Sequence, residues 1–595
     1  MILVPAIVVA LPPLLAAFLA IVLYNDPKPI KYIALGASLI SLVLTLYLFV
    51  YSQNTYQSFN WFSISGYSFG LSTSTAPLNA MLLLLVSIVT PVVFLYSIGY
   101  MQLPSEQGRF YSEMCIFAAA MMLFAISASL LTMFIAWELL GITSYLLIGF
   151  YYRKNEPPNA ARKAITTIII GDIAMLAAII LILNAYHSLE YSVILSSPQS
   201  AQLSLAMALM LIAIFTKSAQ FPFHEWLSDA MEGPTPVSSF LHSSTMVKAG
   251  VFLVIVLLPL FQESGLSNVI LAVGLISALI GAGNALTERH VKKVLAYSTI
   301  EDLGLMLVAL GLGSLFAAIM LFIVQTFYKA ALFFSAGIII KANDGREDLY
   351  NLYNSAYNKF IFALIAISAL SIAAFPPFGG FFAKSAIEDS AMPNLAIYAV
   401  LMLIGLATSI YIFRWLILPA RHNRAETGNE GFISFYVIPK SMRAPMVIMV
   451  VLIIASSAVY LYLPGYLSGI AAPAQVNAVD AAISTIVSSI GIAAAYFIYR
   501  KNRRVYLSST HRYIYAALHN STITNSAYVA ITAVVTYVAE AVAKFDYEFD
   551  KAVYSTASYF VAIGKAGRSM VNGQVNTYVL AFVLGIAIIA IAFLV

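Results

Sequence analysis

The chain has 595 residues, of which 61% are hydrophobic and only 10% are charged, and its formal net charge is +5. Soluble globular domains carry about 25% charged residues, so this composition excludes a soluble protein. Apolar stretches of about 18 residues or more, long enough to cross a bilayer, recur from end to end. The single cysteine, Cys115, excludes a disulfide framework, a zinc cluster and a protein-ligated iron–sulfur centre.

These stretches predict an all-α polytopic membrane protein with about sixteen spans. The first stretch, Met1–Leu23, lacks a basic leader and a small-residue cleavage site, so we expect a retained span rather than a signal peptide. The predicted spans cover, in chain order, residues 2–24, 30–51, 77–100, 110–127, 129–151, 162–186, 202–221, 236–258, 267–286, 291–312, 315–340, 358–391, 393–418, 443–463, 480–500 and 577–595.

The charges of the connecting segments predict how the spans are oriented. Lysine and arginine occur in the connections after spans 1, 3, 5, 9, 11, 13 and 15, whereas those after spans 2, 6, 8, 10, 12 and 14 contain neither. Basic residues favour the cytoplasmic side, so both termini are predicted to face outward. Residues 52–76 carry no charge and are predicted to form a polar hairpin on the outer side.

The connection before the last span predicts a different kind of element. Ala527–Gly567 is rich in helix formers and has no proline, but its charges are too frequent for a membrane span. A long lateral helix on the inner membrane surface fits this pattern. The chain thus divides into three N-terminal spans, two five-helix units, two more spans, the lateral helix and a final span, at residues 1–109, 110–258, 259–418, 419–507, 508–576 and 577–595.

Two of the spans contain helix-breaking residues. Span 7 is interrupted at Pro222, and span 12 is interrupted by Pro376 and Pro377 in "AAFPPFGGFFAKS" (Ala373–Ser385). Broken helices at corresponding positions of two halves are typical of inverted repeats with a functional site at the breaks. The two breaks are five spans apart, which predicts one repeat in spans 4–8 and an inverted one in spans 9–13.

Several charged side chains lie within the predicted spans, where each costs roughly 2.5–3.5 kcal/mol at the bilayer centre on insertion scales. Such groups face the bundle interior or one another, either as structural pairs, as side chains that reach the surface, or as a proton relay. Acids and lysines that recur in both units favour the relay, because a buried lysine beside a carboxylate can change its protonation. The charged residues are Glu138, Asp172, Lys217, Lys248, Lys329, Lys384 and Arg414, with His242 and Gln325 as further polar groups.

Four segments resemble the antiporter-like subunits of respiratory complex I. The longest is "KSAQFPFHEWLSDAMEGPTPVSSFLHSSTMVKAGVFLV" (Lys217–Val254), and Val294–Met306, Phe375–Lys384 and Phe94–Met101 resemble further blocks of that family. Mrp-type cation/proton antiporters, membrane hydrogenases and a methanogen dehydrogenase share the same fold. The lateral helix followed by "NGQVNTYVLAFVLG" (Asn572–Gly585) looks like the distal subunit L of complex I.

This resemblance implies that a central row of residues conducts protons. Glu138 looks like the glutamate of the fifth helix, Lys217 like its lysine partner in the seventh, and His242 like the histidine of the eighth. Lys329 and Lys384 resemble the lysines of the eleventh and twelfth helices, and the second of these leads to the outer exit. Supporting roles are expected for Lys248, Asp172, Gln325, Pro222, Pro376 and Pro377.

Some positions depart from the family pattern. The family usually has histidines eight and four residues before the helix-11 lysine, where this chain has Leu321 and Gln325. Glutamine cannot carry a proton, so the relay must run through water or differ there. Ser385 follows Lys384 where an aspartate is common, which predicts a less acidic exit.

The resemblance leaves three functions open. The first is a redox-inactive, proton-translocating subunit of a complex-I-type NADH/quinone or related dehydrogenase in the plasma membrane. Such a subunit has M-, N- and H-type neighbours, and partner subunits hold the electron donor, flavin, iron–sulfur clusters and quinone. The second is a Mrp-type antiporter subunit, favoured by Lys248 but opposed by the ending at Val595. The third is a proton-driven partner in a carbonate-concentrating complex, and neither cofactor nor metal is expected in this chain.

Overall fold

The computed structural model describes residues 5–23, 28–52, 54–64, 67–196, 202–352, 359–421, 437–472, 477–501, 522–569 and 575–594. The chain divides into two compact units, Met1–His519 and Asn520–Val595. The helices of the first unit are α1 (Leu11–Val22), α2 (Ile30–Tyr51), α3 (Pro77–Tyr100), α4 (Pro104–Ile126), α5 (Leu130–Ile148), α6 (Glu156–Tyr186), α7 (Tyr191–Ser196), α8 (Leu203–Lys217), α9 (Glu225–Asp229), α10 (Thr235–Ser243), α11 (Met246–Val256), α12 (Leu258–Glu263), α13 (Ser267–Thr287), α14 (Val291–Gly311), α15 (Leu315–Ala342), α16 (Lys359–Ile372), α17 (Gly379–Ala391), α18 (Leu395–Arg421), α19 (Lys440–Tyr466) and α20 (Ala478–Lys501).

The mostly helical architecture confirms the predicted fold class. Among the described residues, twelve helices are long and apolar enough to cross a membrane. Four shorter apolar helices, at Ala6–Val22, Leu203–Lys217, Lys359–Ile372 and Tyr578–Ile588, occupy further predicted spans. The count of sixteen spans and the inverted repeat therefore remain predictions.

One antiparallel hairpin departs from the all-α class. It consists of β1 (Tyr56–Ile64) and β2 (Tyr67–Ser74), within the uncharged segment that predicted a polar hairpin. The stacked pair Phe62 and Phe69 lies across the two strands with ring centroids 4.8 Å apart. Alternating polar and apolar residues here favour strands over a helix.

The structure contains both interruptions that prolines predicted. The gap between α8 and α9 includes Pro222, and the gap between α16 and α17 includes Pro376 and Pro377. A third interruption, between α10 and α11, has no proline. It falls in a run of serine and threonine, whose hydroxyls compete for backbone groups, and the Thr245 hydroxyl donates to the Phe240 carbonyl at 2.5 Å.

Helices α13 and α14 pack with their backbones unusually close together. A Cβ atom added at Gly281 would lie 2.6 Å from the backbone nitrogen of Glu301, and one at Gly304 would lie 2.6 Å from the Gly274 carbonyl oxygen. Small residues allow helices in a membrane to approach closely. This contact fixes the position of α14 in the centre of the first unit.

The second unit contains two helices. α21 (Thr522–Ser569) is 48 residues long and coincides with the predicted lateral helix, and α22 (Val575–Leu594) coincides with the predicted last span. The side chains of α21 whose placement is described are exposed, including Phe545, Tyr554 and Tyr559. A long helix with exposed aromatic and charged residues needs a membrane surface or another protein to cover its apolar positions.

Candidate functional site

Lys217 lies at the last residue of α8, directly before the first break, and its side chain is fully buried. Its ammonium group donates a hydrogen bond to the Trp137 carbonyl oxygen at 3.0 Å and stands 4.6 Å from the Trp137 ring centroid. Its Nζ is 3.9 Å from Oδ1 of Asp172 on α6. The Trp137 indole donates to the same carboxylate oxygen at 2.7 Å, so Asp172, Trp137 and Lys217 form one buried cluster.

Glu138, the expected partner of Lys217, lies beside this cluster on α5. Its side chain is half-buried, and its Oε1 has no hydrogen-bond partner among the described residues. Within 4.0 Å, Lys217 pairs with Asp172 and not with Glu138. The pairing of Glu138 with Lys217 therefore stays a prediction, and Asp172 moves from a supporting position to the centre of the cluster.

A second cluster joins two of the predicted lysines through two acids on α14. Lys329 of α15 pairs with Oδ2 of Asp302 at 3.1 Å and donates to the Ser298 hydroxyl at 2.5 Å. Lys384 of α17 lies 3.4 Å from Oε1 of Glu301 and 3.7 Å from Oδ1 of Asp302. Asp302 therefore bridges the two ammonium groups.

Neutral donors hold both acids in place. Thr408 and Tyr411 of α18 donate to the two carboxylate oxygens of Glu301 at 2.5 and 2.9 Å. The Tyr328 hydroxyl donates to Asp302 at 3.0 Å. Both carboxylates are fully buried. Buried charges persist only where partners satisfy them, and these two acids have both lysines and hydroxyls as partners.

The acids of this second cluster were not selected from the sequence. They stand in "VLAYSTIEDLGLM", a segment that was chosen for its resemblance and not for its charges. Adjacent acids inside an apolar span are costly, and this signal alone could have identified Glu301 and Asp302.

Three predicted polar residues lie on helices that pack beside these clusters. His242 is on α10, which packs against α15, Lys248 is on α11, which packs against α8, and Gln325 is on α15 itself. His242 is fully buried, with its ring 5.0 Å from the Phe333 ring, and neither ring nitrogen has a hydrogen-bond partner among the described residues. Gln325 donates to the His242 carbonyl at 3.3 Å. Lys248 donates to the Phe322 carbonyl at 2.6 Å and to the Thr326 hydroxyl at 2.5 Å.

Arg414, the last of the charges that the sequence placed within spans, has a structural role. Arg414 of α18 is fully buried and donates from Nη2 to the carbonyl oxygens of Ala285 at 2.9 Å and Glu288 at 2.5 Å. These carbonyls belong to the last turn of α13 and its end, where helical acceptors lack intrahelical donors. The guanidinium therefore caps that helix.

The arrangement can hold and transfer protons within the membrane. Each broken helix places a lysine beside a carboxylate, and further buried polar groups lie on α10, α11 and α15. Among the described residues, no group of three or more histidine, cysteine, aspartate or glutamate side chains could hold a metal ion. The fold and the two buried lysine–carboxylate clusters define a polytopic membrane protein with ionisable groups in its interior.

Comparison with known protein families agrees with this class. A profile described as "NADH:quinone oxidoreductase/Mrp antiporter, TM" matches residues 127–410, and one described as "NADH-Ubiquinone oxidoreductase (complex I), chain 5 N-terminus" matches residues 61–111. The chain belongs to this family of membrane subunits, as the resemblance of its motifs predicted. The family blocks include both broken helices.

Several curated relatives carry subunit names from quinone oxidoreductases. NAD(P)H-quinone oxidoreductase subunit 5 of Mesostigma viride is 33% identical over 448 residues, covering 70% of this chain and 68% of the relative. NADH-quinone oxidoreductase subunit L of Campylobacter jejuni is 36% identical over 376 residues, covering 61% and 62%. Subunit 5 of Zygnema circumcarinatum is 35% identical over 407 residues, and the match spans 64% of this chain but only 58% of that relative.

A solved structure has the same fold. The structure of the Mrp complex from Dietzia sp. DQ12-45-1b aligns with a TM-score of 0.76 at 23% identity, over 99% of this chain and 63% of that chain. At this identity the match establishes the shared fold only.

Proposed function

We propose that this chain is a redox-inactive, proton-translocating subunit of a complex-I-type quinone oxidoreductase. One observation carries the proposal: buried lysines at both helix breaks are paired with carboxylates, and Asp302 links Lys329 to Lys384. Such a row can pass protons, because a displacement of either partner changes which group holds the proton.

In this proposal the partner subunits carry out the redox chemistry. They hold the electron donor, flavin, iron–sulfur clusters and quinone, and M-, N- and H-type subunits are the neighbours in the membrane. The complex lies in the plasma membrane, with both termini of this chain outside and the lateral helix on the inner side. The relatives named as quinone oxidoreductase subunits support the placement of this chain among the subunits of such a complex.

The proposal is tested by separating proton pumping from electron transfer. Lys217→Ala and Lys384→Ala are introduced into the native complex, which is reconstituted in vesicles with a pH-sensitive dye. We expect pumping to fall by about tenfold or more in both variants, because each removes a proton-carrying group of the kind that contributes 10²–10⁴-fold to proton transfer. Electron transfer should decrease less, since its cofactors lie in other subunits.

Lys154→Ala, at an exposed lysine in the connection after α5, is the matched control and should pump like the wild type. Pumping at the wild-type rate in both buried-lysine variants would show that this row does not conduct protons.

A Mrp-type antiporter subunit is the second candidate. It is favoured by the match of 99% of this chain to the fold of a Mrp complex. The same vesicles distinguish the two functions without mutation. An antiporter exchanges sodium for protons when a sodium gradient is applied without an electron donor, whereas the oxidoreductase subunit moves protons only during electron transfer.

A further inference from the structure

The family pattern does not show how protons would travel outward from Lys384 in this chain. Ser385 stands where an aspartate was expected, and its hydroxyl has no hydrogen-bond partner among the described residues. An acid lies one turn further along the same helix instead. Lys384 and Glu388 line one cavity together with Leu401 and Ile404 of α18. The sequence predicted a less acidic exit because position 385 is a serine, but Glu388 provides an acid in the cavity beside Lys384.

Glu388 connects this cavity to α20. It is only 6% exposed, and it accepts a hydrogen bond from the Ser484 hydroxyl. Asp480 lies one turn before Ser484 on α20 and is fully buried. Tyr398 donates to Oδ1 of Asp480 at 3.1 Å, while Oδ2 is buried without a hydrogen-bond partner among the described residues. Leaving a buried carboxylate oxygen without a hydrogen-bond donor costs free energy.

Asp480 in turn lies near the protein surface. Asp389, the residue after Glu388, is close enough to Asp480 to interact with it electrostatically. Asp389 also lines a surface cleft with Gln262 and Ser314, and Gln262 is exposed. Gln262 and Ser314 belong to connections that contain no lysine or arginine, and Asp389 lies at the end of α17 that leads into another such connection; the charge pattern assigns these connections to the outer side.

We propose that Glu388 and Asp480 carry protons from Lys384 to this cleft and so form the outward exit of the chain. The Lys384 ammonium transfers a proton to the Glu388 carboxylate, which leaves a neutral amine and a carboxylic acid. That proton passes by the Ser484 hydroxyl to Asp480 and leaves through the cleft beside Asp389, which regenerates both carboxylates. This inference rests on the proposed function, since it assigns the last steps of the same transport.

Two nearly isosteric substitutions test this exit. Glu388→Gln keeps an oxygen that accepts the Ser484 hydrogen bond but cannot carry a proton, and Asp480→Asn does the same for the Tyr398 bond. Each is introduced into the native complex and assayed in vesicles beside Lys384→Ala. We expect both to lower pumping about tenfold, in line with the loss of a proton-transfer group, while the amount of assembled complex stays constant.

Two further variants separate proton transfer from packing. Glu388→Asp retains an acid and should recover most of the pumping that Glu388→Gln loses. Glu156→Gln replaces an exposed acid at the start of α6 and should pump like the wild type. Recovery by the aspartate is not expected if Glu388 only fills space, so equal losses in Glu388→Asp and Glu388→Gln would overturn the proposal.

The result for Lys384→Ala shows whether a failure concerns only the proposed exit or the proton-conducting function itself. If Lys384→Ala stops pumping while Glu388→Gln and Asp480→Asn pump normally, the exit lies elsewhere and the proposed function stands. If all three variants pump normally, both the exit and the proton-conducting row are refuted.

Discussion

At the scale of single residues, the buried lysines differ in how they are neutralised. Lys217, Lys329 and Lys384 each have a carboxylate within 4.0 Å, whereas Lys248 has only a carbonyl and a hydroxyl at hydrogen-bond distance among the described residues. A lone buried ammonium costs several kcal/mol. Of these four lysines, Lys248 is thus the one whose charge the described residues compensate least.

Mutation can identify which carboxylate, Asp172 or Glu138, neutralises the Lys217 ammonium group. Asp172→Asn removes the acid within 4.0 Å of Lys217, so we expect it to destabilise the protein by about 3 kcal/mol, as for other broken buried pairs. Pumping should fall as well. Thermal denaturation of the purified complex and vesicle assays provide the measurements.

The double variant Asp172→Asn with Lys217→Met is the control for charge imbalance. Because it removes both charges, it should be more stable than Asp172→Asn alone. If the single variant is as stable as the wild type, Glu138 is the effective partner, as the family resemblance implied.

The sequence was sufficient to locate the lysines of the site but not to pair them. Charged residues in apolar runs are visible in the sequence, and Lys217, Lys329 and Lys384 were selected for that reason. Pairing depends on which helices lie side by side, and this is set by packing among residues far apart in the chain. Asp302 and Lys384 are 82 positions apart, and hydropathy contains no information about their contact.

At the scale of elements, the breaks that prolines cause were predicted, and the break caused by hydroxyl side chains was not. Proline lacks the N–H that continues a helix, so Pro222, Pro376 and Pro377 mark their breaks directly. At Ser244–Thr245 the interruption depends on side-chain hydrogen bonds that compete with the helix, and many membrane helices contain serine and threonine without a break.

The close contact of α13 with α14 gives a prediction at this scale. A methyl group at Gly281 would lie 2.6 Å from the Glu301 nitrogen and 2.7 Å from the Tyr297 carbonyl oxygen, so the helices must separate. We expect Gly281→Ala to destabilise the complex by about 1–3 kcal/mol through overpacking. Displacement of α14 also moves Glu301 and Asp302 relative to their lysines, so pumping should decrease.

Gly36→Ala is the matched control, because no atom beyond the neighbouring residues of its own helix lies within 4 Å of the position that its Cβ would occupy. Thermal denaturation and the vesicle assay are compared for both variants. Equal stability of the two would mean that the α13–α14 contact is more adaptable than this geometry indicates.

At the scale of the whole molecule, several ion pairs lie at one end of the first unit, and one of them, between Asp229 and Lys293, connects the two predicted five-helix units. Asp229, after the first break, lies 2.8 Å from Lys163 of α6 and 4.0 Å from Lys293 of α14. Glu347, in the connection after α15, pairs with Lys292 at 3.2 Å and with His290. These contacts restrain the N-terminal parts of α6 and α14, the helices that carry the buried acids Asp172, Glu301 and Asp302.

Stability near Glu347 should depend on pH. Burial alone would raise the pKa of Glu347, but the hydrogen bond from His290 and the charge of Lys292 outweigh it and lower the pKa to about 2. The pKa of Glu347 in the folded protein is thus below its value of about 4.3 in the unfolded chain. The ion pair therefore stabilises the folded protein fully above about pH 4.3, and this stabilisation is lost as the pH falls toward 2. Glu347→Gln should lower the melting temperature at neutral pH, and its difference from the wild type should shrink at about pH 3.

The exposed acid Glu156, at the start of α6, provides the control variant Glu156→Gln. Its melting temperature should follow that of the wild type at every pH. A constant difference between Glu347→Gln and the wild type across the acidic range would contradict the role of this ion pair.

The hydrogen bond from Ser488 to the second break has a consequence for biosynthesis. The Ser488 hydroxyl of α20 donates to the Ala373 carbonyl at 2.8 Å, and 115 positions separate the two residues. A backbone carbonyl freed by a helix break is not tolerated facing lipid. The Ser409 hydroxyl of α18 lies 3.5 Å from the same oxygen, but the ribosome must synthesise more than a hundred residues beyond Ala373 before the shorter bond from Ser488 can form. During that interval the insertion machinery or a chaperone must shield α16 and α17 from the bilayer.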